Sequence, residues 1–150
     1  MSQTLHLAVV VLALVGAGAA LAFQAPVNNV LARSVGGLMP AATISVGLTF
    51  LGLAIIMVIS GQLPRFGSFG QAPWWAWMGF ITGVVFMVST MWAVPKVGAL
   101  SMLVAAILGQ LLAGLLLDRF GAFGLAVQEI TWPRLAGVAL VLTGLVMTRL

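Results

Sequence analysis

Long apolar stretches separated by short polar breaks set the pattern of this chain. Residues 7–32, 34–64, 66–95 and 97–117 contain no charged side chain. A helix rises about 1.5 Å per residue and needs about 20 apolar residues to cross ~30 Å of hydrocarbon, so each stretch can span a bilayer. A fifth stretch, 135–148, is shorter and suffices if it starts at Trp132–Pro133 and Arg149 snorkels to the headgroups. Breaks fall at Arg33–Pro40, Gly61–Pro73, Val94–Val97 and Arg119–Pro133, where a charge together with Gly or Pro interrupts helix propagation. The pattern predicts an all-α integral membrane fold in a single domain, residues 1–150, with five transmembrane helices at about 5–32, 40–60, 73–93, 98–118 and 133–149.

The first predicted helix is about 42 Å long, so it must tilt, kink or leave the bilayer. Pro26 marks the expected break, because it offers no N–H to the Ala22 carbonyl and its ring crowds that oxygen. This segment does not read as a signal peptide: it lacks a basic leader, is too long, and runs into further apolar sequence.

Composition excludes several classes. Six Lys and Arg and two acids in 150 residues, with a mean hydropathy of +1.24, cannot supply the charged exterior of a soluble domain. The absence of cysteine removes disulfides and thiolate metal sites. A pI near 11.8 suggests nucleic acid, but the cations are scattered singly and form no patch, so no such partner is expected. One His and two acids cannot assemble a hydrolytic triad or a metal cluster. We therefore expect neither an enzyme nor a cofactor.

Charge placement bears on orientation. Five spans put the termini on opposite sides, with Arg65, Arg119 and Arg134 on one side and Arg33, Lys96 and Arg149 on the other. Lys/Arg excess normally marks the cytoplasmic side, and three against three gives no excess. Both orientations are then expected in one membrane, the alternative being a single orientation fixed by other features. Two copies facing opposite ways would form an antiparallel homodimer of ten helices with inverted symmetry, the geometry of alternating-access transporters.

Five stretches together resemble the YdcZ-like family, formerly a domain of unknown function, of the drug/metabolite transporter superfamily. They are Gln24-x-x-x-Asn28, PWWAWMGFITG at 73–83, VPKVGA at 94–99, GQLLAGLLLDRFGAFG at 109–124 and RLAGVALVLTG at 134–144. The resemblance implies a half-size, five-helix unit of the bacterial inner membrane that occurs as dual-topology single proteins, as oppositely oriented pairs, or fused into ten-helix proteins. It implies no particular substrate.

The polar residues within the spans are the candidates for function. Gln24 and Asn28, four residues apart, share a helix face, and Asn29 points away from it. With the carbonyl freed by Pro26 they would line an uncharged cavity, or else cap a helix end among the headgroups. Gln110 reads as the best-buried amide, either touching a ligand or bonding between helices. Ala105, Gly109 and Ala113 form a small-residue stripe beside it, and Gly79 with Gly83 forms another; both are candidate packing or dimer faces.

Trp75 and Trp77, with Trp74, suit an interfacial belt, or an aromatic wall for a flat or cationic substrate. Ser45, Thr49, Ser89 and Thr90 could line a path, although hydroxyls usually bond their own helix. No acid lies inside a span, which leaves proton coupling without an evident carrier. Asp118 is expected to pair with Arg119, Arg134 or a cation of a second copy, and His6 to sit in the headgroup layer. The functional expectation is a transporter in contact with membrane lipid, working by alternating access on a neutral or weakly polar small molecule, or on an ion coordinated by amides and backbone carbonyls. The alternatives are a passive ion channel formed by an antiparallel dimer and a non-transporting assembly subunit.

Overall fold

The computed structural model describes residues 3–148 and is helical throughout its ordered elements. Arg149, counted above among the cations, lies outside the described residues. Five α-helices follow one another: α1 (Gln3–Ser34), α2 (Leu38–Ile59), α3 (Gly79–Val97), α4 (Ala99–Phe120) and α5 (Trp132–Met147). Four segments, Leu5–Ser34, Leu38–Ile59, Trp74–Val97 and Ala99–Phe120, are long and apolar enough to cross a membrane. The fifth helix has 16 residues, a length of about 24 Å.

The chain divides into two compact units, Met1–Lys96 and Val97–Leu150. In the first, α1 and α2 form a hairpin turned by Gly36 (φ +88°) and Gly37 (φ +139°). The Gly37 N–H closes the turn on the Ala32 carbonyl at 2.8 Å. Small side chains at the turn allow close approach: Ala32 of α1 and Ala41 and Ala42 of α2 are buried, and Met87 and Met91 of α3 pack against them. That core occupies one end of the unit. Elsewhere the apolar side chains of α1 and α2, such as Leu12 (70% exposed) and Phe50 (68%), have no protein over them. In water this surface would be untenable; in a bilayer, lipid covers it at no hydrophobic cost.

The second unit is the α4–α5 hairpin. Ser101 and Met102 are buried at one end, where the Ser101 hydroxyl donates to the Thr148 carbonyl at 3.3 Å. Gly121, left-handed at φ +59°, ends α4 at the other.

Three expectations need correction. Pro26 does not break the first helix, for α1 runs through it uninterrupted. A missing N–H costs a helix locally, whereas unwinding in lipid would orphan several backbone groups at once. The third helix does not begin at residue 73: Trp74–Met78 is a 3-10 segment and the α-helix starts at Gly79. Its looser hydrogen bonding is tolerable at a water boundary, where Trp is at home. Nor does α3 stop before the VPKV stretch; it carries Pro95 inside it and ends at Val97, before Gly98 with φ +80°.

Candidate functional site

Pro95 explains an amide that the sequence reading set aside. A helical carbonyl accepts from the N–H four residues on, and for Met91 that residue is Pro95, which has none. Met91 is fully buried, so water cannot substitute. Asn29 of α1 supplies the donor, its Nδ2 lying 3.0 Å from the Met91 oxygen. The amide therefore mends a helix distant in sequence. Asn28 beside it is also buried, at 5% exposure, and its Nδ2 finds no acceptor. Gln24, one turn earlier on the same face, is half-buried.

The aromatic residues at the head of α3 are exposed. Trp75 and Trp77 are 44% and 51% accessible, and the Trp77 ring tilts against Phe69 at 5.6 Å between centroids. At the other end of α3 the Lys96 ammonium sits 3.5 Å above the Trp92 ring, an arrangement that holds the cation near its aromatic face. The hydroxyls of Thr49 and Thr90 bond carbonyls of their own helices, Ser45 at 2.9 Å and Met87 at 3.0 Å, leaving neither donor for a path.

The second unit holds the polar centre. Gln110, Gly114 and Asp118 recur every four residues along one face of α4 and meet Arg134 and Gly137 of α5 around a cleft of about 410 Å³. Gln110, expected to be the best-buried amide, is exposed, because a two-helix unit leaves one side of this face open. The cleft bears one acid and one base.

Arg134 Nη2 lies 3.1 Å from Asp118 Oδ2 and donates to Gln128 Oε1 at 2.6 Å. The loop is returned to this point by the Gln128 N–H, which donates to the Asp118 carbonyl at 2.8 Å. Asp118 thus chooses Arg134 from the cations considered, while Arg119 is exposed on the last turn of α4. Arg134 Nη1 is shielded and has no acceptor.

Both charged side chains are about one-third exposed, 33% and 32%. Asp118→Asn is accordingly expected to cost no more than about 1 kcal/mol of stability, the range for solvent-reached ion pairs, and thermal unfolding in detergent would measure it.

Among the described residues, the proposed packing stripes are open within their own units. Ala105, Gly109 and Ala113 are exposed on α4, and a Cβ added at Gly79, Gly83 or Gly109 would meet nothing within 4 Å. Gln24 and Asn28 belong to one unit and Gln110 to the other. Sequence reasoning missed Asn29 as a structural donor and the Gln110–Asp118–Arg134 grouping as a site. The signals were present as a proline four residues after a helical position and as polar residues at four-residue spacing.

Searches among curated proteins and solved structures find no match. Residues 9–147 match the family described as "Putative inner membrane exporter, YdcZ" (DMT_YdcZ). A match over nearly the whole length, to a chain whose helices are built for lipid, places this protein in the YdcZ family, as a multi-pass protein of the inner membrane.

Proposed function

We propose that the chain is one half of an antiparallel, dual-topology homodimer, ten helices in all, that exports a small molecule by alternating access. This reading takes α5 as a fifth span, its 16 residues, which begin at Trp132, extended by the capping Thr131 and Thr148 toward both interfaces. The observation that carries the reading is the relation of two faces on α4. The exposed stripe Ala105–Gly109–Ala113 is offset by one residue, about 100° of helix rotation, from the row Gln110–Gly114–Asp118 that borders the cleft. A second copy packed on the stripe would stand beside the cleft and close its open side. The balance of three cations against three supports opposite orientations of the two copies. A substrate without net charge suits a cleft whose acid and base cancel.

The chain has no cysteine, so a single one reports topology cleanly. With Ser68→Cys in the loop between α2 and α3, an impermeant thiol reagent is expected to label part of the protein in intact cells and all of it after permeabilisation. Labelling that is all or none in intact cells overturns dual orientation. Saturable flux in proteoliposomes is the companion result expected of a transporter; unsaturated flux at channel rates would exclude alternating access.

A further inference from the structure

We propose that the α4–α5 cleft binds a small zwitterion with an apolar side chain, the chemistry of an aliphatic α-amino acid. The proposal rests on the transport reading only for its physiological meaning, since the site itself belongs to a single chain.

Arg134 uses Nη2 twice, toward Asp118 and toward Gln128, while Nη1 stays out of water with nothing to bond. A guanidinium presents donors in a planar fork suited to the two oxygens of a carboxylate, so half of this fork is unused. A shielded donor without an acceptor is a standing cost, and an arriving carboxylate removes it by drawing Nη1 toward the cleft. Asp118 reaches Arg134 through Oδ2, which leaves Oδ1 able to accept from an ammonium group. The cleft is neutral as a whole. A ligand with net charge would leave one charge uncompensated among apolar walls, whereas a zwitterion closes a ring of alternating charges.

The rest of the cleft fits the remainder of such a molecule. Leu111, Leu115 and Val138 form apolar walls, and Gln110 adds an amide about 12 Å along the helix from Asp118. Gly114 and Gly137 keep the space empty, for a Cβ at either would touch nothing within 4 Å. A volume of about 410 Å³ is in the range of small-molecule sites.

The test is equilibrium binding of radiolabelled L-leucine to the purified full-length protein in detergent, with competition by 4-methylpentanoate and 3-methylbutylamine, which keep the alkyl chain but carry one charge each. Leucine is expected to displace the label at least about tenfold more effectively than either analogue. Gly114→Leu fills the cleft while leaving both residues of the ion pair unsubstituted, and should abolish binding; Arg134→Gln should weaken it at least about tenfold. Leu12→Ala on lipid-facing α1 serves as the control, and circular dichroism checks that every variant is helical.

Equal competition by the acid or the amine, no displaceable binding at all, or binding untouched by Gly114→Leu overturns the proposal. Because no flux is measured, such a failure leaves the transport reading standing. Conversely, a failed flux assay would not explain away specific leucine binding.

Discussion

Asn29→Leu is expected to destabilise the first unit by about 1–3 kcal/mol, the cost of leaving a buried polar group without a partner. The group in question is the Met91 carbonyl, deprived of its helical donor by Pro95 and bonded instead by the Asn29 amide at 3.0 Å. Two terms make this larger than an ordinary lost hydrogen bond. Met91 is completely inaccessible, and neither the methionine core nor lipid can offer a substitute donor. The same logic predicts its own remedy. Pro95→Ala restores an N–H to the position four residues after Met91, so the Asn29→Leu/Pro95→Ala double variant should recover most of the loss. Thermal unfolding of all four proteins in detergent completes the cycle. Strictly additive losses would mean that the amide and the proline act independently, which would sink this account of Asn29.

Gly121→Ala should be the next most damaging change, and Gly124→Ala the instructive comparison. Both glycines have left-handed backbones, with φ of +59° and +83°, so alanine is strained at either by about 1–3 kcal/mol. They differ in what surrounds them. A Cβ at Gly121 would lie 2.7 Å from Val127 Cγ2 and 3.0 Å from the Leu125 oxygen, while one at Gly124 meets nothing within 4 Å.

Gly121→Ala must therefore displace the returning segment of the loop as well as strain its own backbone. That segment carries Gln128, whose N–H holds the Asp118 carbonyl and whose side chain accepts from Arg134. Gly121→Ala is expected to unfold at the lower temperature of the two and, unlike Gly124→Ala, to impair ligand binding in the α4–α5 cleft. Matching melting temperatures and unimpaired binding would show that the close approach to Val127 is easily relieved.

The helical, lipid-facing character of the protein was legible because it depends on summed properties. Runs free of charge and long enough to cross hydrocarbon admit few solutions, since backbone groups in lipid must be satisfied within the segment. Pro26 was expected to interrupt the first helix, and the third was expected to open at residue 73 and to end at 93, before Pro95. Pro26 and Pro95 both lie inside helices, and the Trp74–Met78 segment adopts a 3-10 form. Local rules identify what a proline removes. They do not identify which residue elsewhere restores it.

The candidate site was less legible, for a related reason. Asp118 and Arg134 were linked as one of several candidate ion pairs and Gln110 was noticed as a buried amide, but the three were not joined in one group. Only four-residue periodicity along α4 joined to the return of α5 places them on one cleft. The amides of α1 drew attention because they flank Pro26, yet Asn29 answers to Pro95, 66 positions away.

Composition, run length and the tally of cations by themselves determined that this chain is a helical membrane protein, and its motifs indicated the YdcZ family, because those are properties of segments and sums. Tertiary structure decided which amide serves which carbonyl, which arginine pairs with Asp118, and that this pair lies on an open cleft between α4 and α5. A hydrogen bond or an ion pair requires its partners to lie within a few ångströms of each other. Such proximity between residues far apart in the chain is set by how helices pack, and no local pattern encodes it.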